Sequence, residues 1–185
     1  ISPCITQGCS AVFSKKNVIT KMKFPISILP ATVCVREFFN HLCMMAITVV
    51  LLILFGYYPS VYWLGLIYYA FCAFMFLEAL ALVTSVLTMM WRDVKKLVTS
   101  LMRMLMYLSP VLWPAAFSGI PVMSFIMKLN PVYYIVTGYR DCMFFEKSIL
   151  AHPALTVYFW IVVLVLFAVG SALMYHFKRK MVDMI

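Results

Sequence analysis

The chain has 185 residues, of which 65% are hydrophobic and 11% charged, with a mean hydropathy of +1.01. A soluble domain is nearer half apolar and a quarter charged, so this chain is solvated by lipid. Its formal charge of +9 does not point to nucleic acid, because Lys and Arg fall in short clusters between apolar runs, the pattern of membrane topology signals, with no recognition helix and no basic stripe.

Ile1 to Phe13 is mildly apolar and too short to span, since a crossing helix needs about 20 residues. The chain opens without methionine and without a charged n-region ahead of an h-region, so no signal peptide is read and N-terminal residues are expected to be missing. In Ser14 to Pro25, at about 100° per residue, Val18, Ile19 and Met22 share one face while Lys16, Lys21 and Lys23 fall outside it. Two readings fit: a short helix on a membrane surface stopped by Pro25, or a solvated basic turn that sets topology. Arg36, Glu37 and His41 open the next segment, and Phe38 to Phe55 is apolar enough to cross before Gly56-Tyr57-Tyr58-Pro59 turns the chain. Val61 to Met90 is a longer apolar run whose one ionisable residue is Glu78. Arg92 to Arg103 is basic, Met104 to Phe117 heads back across, and Leu155 to Phe177 is the last clear crossing, closed by Lys178-Arg179-Lys180.

Charge orients these four crossings. Lys15, Lys16, Lys21, Lys23, Arg36, Arg92, Lys95, Lys96, Arg103 and the triplet at 178–180 share one side, leaving Lys128, Arg140 and Lys147 for the other. Twelve cations against three put the first group, and the C-terminus, in the cytoplasm of a multi-pass plasma-membrane protein. Ile120 to Tyr139 is apolar enough for a fifth crossing, but that would strand the triplet outside and leave Lys128 near mid-bilayer, at about 2.5–3.5 kcal/mol. Both penalties vanish if the segment dips in and returns. With Pro110 and Pro114 ahead, and Pro121 and Asn130-Pro131 as breakers, the expectation is a re-entrant outer hairpin over 120–146, with short helices near 121–129 and 132–145. Backbone broken in this way is tolerated only when packed in protein or lining a watery cavity. The fold class is therefore all-α, a single polytopic helical domain over 1–185.

Side chains that carry chemistry are sparse. Six cysteines include no C-x-x-C and no zinc-type Cys/His cluster; they read as small hydrophobes, with Cys142 the one expected to reach solvent. No glycine is followed by Lys, so there is no phosphate-binding P-loop, and any ATP and Mg would be held by another subunit. His41, His152 and His176 lie at different depths without a nucleophile beside them, which argues against an enzyme. Glu78 is either a functional carboxylate, as a proton-coupled carrier would need, or a protonated side chain bonded to a neighbouring helix. A membrane-embedded glycolipid-processing enzyme would need a pair such as Glu37 with His41. Tyr57, Tyr58, Tyr62, Trp63, Tyr158 and Trp160 suit an interfacial belt, while Tyr68 and Tyr69, with Tyr133 and Tyr134, are candidates to line a path along which sugar rings stack and slide. Arg92 and Asp93 are adjacent and do not face each other on a helix, so Arg92 is expected to reach lipid phosphate and Asp93 to cap the helix that follows. Arg140-Asp141 either closes a gate or holds the hairpin.

Lys21-Met22-Lys23-Phe24-Pro25 before a crossing, Trp91-Arg92-Asp93-Val94 after the next, then Ser109-Pro110-Val111 and Leu129-Asn130-Pro131, resemble in order and spacing the membrane subunits of ABC-2 type exporters. The match is nearest to permeases for polyprenyl-linked polymers: wall teichoic acid, O-antigen and capsular polysaccharide. The resemblance implies six crossings, of which this chain holds four, and Ile1 to Phe13 as the inner end of the second. It implies a homodimer bound to two P-loop ATPase subunits, with membrane lipid and a lipid-linked glycopolymer as further partners. It makes Lys15 to Phe24 the coupling helix, with Val18, Ile19, Met22, Lys23 and Phe24 as its contacts, and Arg92-Asp93 part of the second cytoplasmic loop. An ABC-2 drug or lipid exporter is the alternative within this class.

Overall fold

The computed structural model describes residues 2–14, 28–91, 93–108, 125 and 127–183. Its regular elements are all helical: α1 (Ser2–Ser14), α2 (Ile28–Leu54), a 3-10 turn (Val61–Leu64) leading into α3 (Gly65–Met90), α4 (Val94–Leu108), α5 (Pro131–Phe144), a second 3-10 turn (Ile149–Ala151) and α6 (Pro153–Asp183). Three of these are long and apolar enough to cross a membrane: Ile28–Leu54, Val61–Met90 and Pro153–Phe177. The second half of the expected crossing at Met104 to Phe117 lies outside the described residues.

Several boundaries differ from the sequence reading. Helix α2 begins ten residues before Phe38, so Arg36, Glu37 and His41 lie inside it. Pro30 falls in the first turn, where no intrahelical donor is lost, and does not delay the start. Arg36 pairs with Glu37 at 3.2 Å and also donates to Gln7 of α1. Helix α6 starts at Pro153 and runs past the basic triplet to Asp183, since solvated charges end an apolar span without ending the helix. Helix α4 carries the second basic cluster and the start of the next apolar run in one piece. At 100° per residue its apolar residues Leu97, Leu101, Met104, Leu105, Val98 and Met102 fill one arc, and Lys95, Lys96, Thr99, Ser100 and Arg103 the other. The turn after α2 forms as expected: Gly56 adopts φ 89°, with Gly56 N donating to Ile53 O at 3.1 Å and Tyr57 N to Leu52 O at 3.0 Å. This is a Schellman cap, open to glycine because a left-handed residue carries no Cβ clash there.

By contacts the chain forms two compact units, Ile1–Asn40 with Phe74–Met102 and Val163–Ile185, and His41–Ala73 with Arg103–Val162. In lipid, burying apolar surface gives helices little reason to associate, so close packing of small residues and internal hydrogen bonds must hold them. The first unit shows both. A Cβ at Gly8 of α1 would lie 3.2 Å from Ala81 Cβ of α3, and one at Gly170 of α6 would lie 3.1 Å from Leu82 Cβ and 3.3 Å from the Val83 backbone nitrogen. Cys4 and Cys34 are buried with their sulfurs 3.2 Å apart. Leu29, Leu82, Val86 and Met174 form a core with Val33, Met89, Leu173 and Phe177 around it. The buried hydroxyls of Thr84, Ser85 and Thr88 bond back to Leu80, Leu82 and Thr84 carbonyls at 2.7–2.9 Å, so these hydroxyls need no water.

Gly170 tests this packing. Gly170→Val should lower stability by about 1–3 kcal/mol by forcing α6 off α3, read as a reduced thermal midpoint of the detergent-solubilised protein. Gly56→Ala should cost about 1–2 kcal/mol through its positive φ alone.

Candidate functional site

The second unit is built around the first turns of α3 and the whole of α5. Asn130 starts α5: its Oδ1 accepts from Val132 N at 3.0 Å, Pro131 takes the first helical position, and its Nδ2 donates to Leu105 O at 3.5 Å. Asn130-Pro131, expected as breakers, thus also form an N-cap, and the helix expected over 132–145 spans Pro131–Phe144. Of the expected partner helix at 121–129, residues 127–129 are helical. On α5, Tyr134, Ile135, Gly138, Asp141 and Cys142 are buried, the i, i+4, i+7 face of a helix packed on protein. The Tyr69 ring packs against this face so closely that a Cβ at Gly138 would overlap its Cε1 and Cζ.

The tyrosines proposed for a path separate into two environments. Tyr69 and Tyr134 are each 4% exposed, with ring centroids 5.4 Å apart. Tyr68 Oη lies 3.4 Å from Tyr134 Oη and accepts from Trp160 Nε1 at 3.0 Å, and Tyr134 Oη bonds Thr156 Oγ1 at 2.9 Å. Phe159, fully buried, stacks on Tyr134 at 4.9 Å. Tyr68, Tyr69 and Tyr134 therefore form one bonded aromatic core. Tyr133, one residue before Tyr134, lines a cavity with Thr137, Lys128 and His152. Tyr57, Tyr58 and Tyr62 are exposed, as an interfacial belt requires.

Asp141 holds the link from α5 to α6. Its side chain is 8% exposed, with Oδ1 3.3 Å from Lys147 Nζ and Oδ2 3.2 Å from His152 Nε2, while its carbonyl accepts from Phe145 and Lys147 nitrogens. Glu146 between them takes φ 49°. Arg140 also has interactions of its own. His152 was absent from the sequence candidates; its place one residue before a proline-started helix, eleven after an acid, is a weak signal without the fold. Glu37 and His41, weighed as an acid/base pair, have separate partners, Arg36 for one and Tyr139 Oη at 2.9 Å for the other. Glu78 lies beside Cys34, with its Oε2 buried and unbonded among the described residues. Asp93 pairs with Lys96 at 3.4 Å on the surface, and its carbonyl accepts from Lys96 and Leu97 nitrogens to start α4. Val18, Ile19, Met22, Lys23, Phe24, Arg92, Pro110 and Pro121 lie outside the described residues. Among the described residues no group of three His, Cys, Asp or Glu side chains could hold a metal.

One expectation is overturned. Cys142 does not reach solvent: it is 1% exposed, under Gly65, where an added Cβ would come within 2.5 Å of its sulfur. The exposed cysteine is Cys43, on the apolar surface of α2. Charge near Cys142 in the sequence suggested water, but the close approach of α3 and α5 excludes it. Burial, with the Asp141 carboxylate close by, holds the Cys142 thiol above its usual range.

The ABC-2 type transporter family model matches residues 1–144. The chain belongs to the ABC-2 type transporter family. Curated relatives of this ABC-2 transporter chain include the O-antigen export system permease protein RfbA of Myxococcus xanthus, 24% identical over 80% of this chain and 57% of that protein. Two proteins of that name from Klebsiella pneumoniae are 24% identical over 94% of this chain and 68% of theirs, and 27% identical over 74% and 52%. The ABC-2 chain thus spans between about half and two thirds of these relatives. With its family and its three apolar helices, it is a membrane protein.

Two outcomes check this geometry. Maleimide at neutral pH should leave Cys142 unmodified in the folded ABC-2 chain and label it after denaturation in SDS. Gly138→Ala should destabilise by about 1–3 kcal/mol because Tyr69 has no room to yield, seen as a lower thermal midpoint by fluorescence-detected size exclusion.

Proposed function

We propose that this chain is the membrane-spanning permease subunit of an ATP-driven exporter that moves a polyprenyl-linked cell-surface polymer outward, an O-antigen-type polysaccharide before a teichoic acid. The observation that carries the reading is the family match over residues 1–144, joined by relatives named for O-antigen export. The absence of a P-loop from the sequence agrees with ATP hydrolysis on a partner chain. In this reading two copies form the path, the C-terminus is cytoplasmic, and Lys15 to Phe24 docks in the ATPase through Val18, Ile19, Met22 and Phe24 ringed by lysines. An apolar anchor among charges is the composition of a docking hot spot. Nucleotide binding then biases the permease between inward-open and outward-open states through differential contacts.

A second reading has one observation behind it. The buried, unbonded Oε2 of Glu78 is what a proton-coupled carrier would use. Glu78→Gln distinguishes the two: export that persists with Gln favours the ATP-driven reading, and export that stops favours the carrier.

Coupling has its own experiment. Met22→Asp or Phe24→Asp should leave membrane insertion intact and ATP turnover by the complex running, while export of polymer into proteoliposomes falls about tenfold or more, the scale of one lost hot spot. Unchanged export in both variants would remove this stretch as the coupling element.

A further inference from the structure

A cavity of about 380 Å³ opens in the second unit between the segment ahead of α5, the Tyr133 face of that helix and the start of α6. Its polar lining is Lys128, Tyr133, Thr137 and His152; Ala151 and the first turn of α6 supply an apolar floor. Tyr133 and Thr137 are four residues apart, so both hydroxyls project from one side of α5. The walls are fixed by bonds already made. Tyr158 Oη donates to Leu129 O at 2.7 Å, Asn130 is tied to Leu105, and the His152 ring is held through Nε2 by Asp141.

The lining selects a chemical class. Lys128 is exposed and pairs with no carboxylate among the described residues, and Asp141 is taken up by Lys147 and His152. A neutral sugar presents several hydroxyl donors, and beyond the Tyr133 and Thr137 hydroxyls and the His152 imidazole the lining offers them no side-chain acceptor, with neither a carboxylate nor an amide among it. A phosphate ester presents acceptors alone, which an ammonium and two hydroxyls satisfy. The floor of Ala151, Pro153, Ala154 and Leu155 suits the glycerol or hydrocarbon attached to such a group. The volume, near the lower end for ligand sites, admits a headgroup and excludes a polymer.

We propose that this cavity binds the phosphate-bearing headgroup of an amphiphile, with Lys128 as its counter-charge and Tyr133 and Thr137 as donors. The site stands on the cavity itself and does not depend on the transport reading. Two sources share the chemistry, a bilayer phospholipid and a polyprenyl diphosphate.

The test uses the purified full-length protein in neutral detergent, with retained lipid counted by native mass spectrometry. Phosphatidylglycerol, polyprenyl diphosphate and a phosphate-free glycosyl diacylglycerol are offered at equal concentration. The wild type should retain a phosphate lipid about tenfold better than Lys128→Gln, a charge-assisted bond's worth, with Lys128→Arg restoring retention and Thr137→Val weakening it. Preference for phosphatidylglycerol assigns the bilayer as source and preference for polyprenyl diphosphate assigns the carrier lipid; either supports the site. Retention unchanged in both Lys128→Gln and Thr137→Val, or equal retention of the phosphate-free glycolipid, overturns it. That failure would leave the transport reading intact, since ATP-dependent export measures the latter separately.

Discussion

The second unit depends on the contact of the Tyr69 ring with the backbone of α5 at Gly138. Without a Cβ at 138 the two helices approach to ring thickness, which buries Tyr69 and Tyr134 together and brings Cys142 under Gly65. Two phenol rings then lie where no lipid headgroup or bulk water can bond their hydroxyls. The bonds among Tyr68, Tyr134, Thr156 and Trp160 answer that need for Tyr134 inside the protein. The polar network is thus a consequence of the glycine, and both are consequences of packing helices in a solvent as apolar as they are. The same logic governs the first unit, where Gly8 and Gly170 permit close approach and hydroxyls fold back on their own helix.

Helix α2 shows the complementary case. Its apolar window is not buried within the chain, and Val35, Phe39, Ile47, Val50, Leu51 and Leu54 are exposed. In water this would be an aggregation surface, whereas in a bilayer it is the ordinary outer face of a crossing helix. Helix α4 is different again. Fifteen residues with a wide apolar arc and a cationic remainder have the composition of a helix lying in an interface.

Much of this was legible in the sequence because lipid imposes a coarse code. Long apolar runs marked the segments that form the three helices able by length and composition to cross a membrane, where four crossings were expected, and Asn130-Pro131 announced both a break and the start of α5. The Gly56 turn was equally clear, since few residues besides glycine accept its backbone. Boundaries were less clear: Arg36 and Glu37 were read as opening the segment, yet lie a third of the way along α2, because a paired charge does not oppose helix. What could not be read were the choices between neighbours on one face. Tyr133 and Tyr134 are indistinguishable as letters, and only the position of Gly138 four residues beyond Tyr134 decides which ring is buried. Cys142 was misplaced for the same reason, since its neighbour Asp141 suggested water while its helical face belongs with Gly138. His152 had no pattern of its own, because its partner comes from the preceding helix.

The link through Asp141 has a mechanical consequence. Only eight residues, 145–152, separate α5 from α6, and the carboxylate grips this loop at Lys147 and again at His152, next to the helix start. A hinge needs backbone free to rotate, and here the loop is held by the carboxylate at two side chains. The adjoining ends of α5 and α6 consequently act as one rigid elbow.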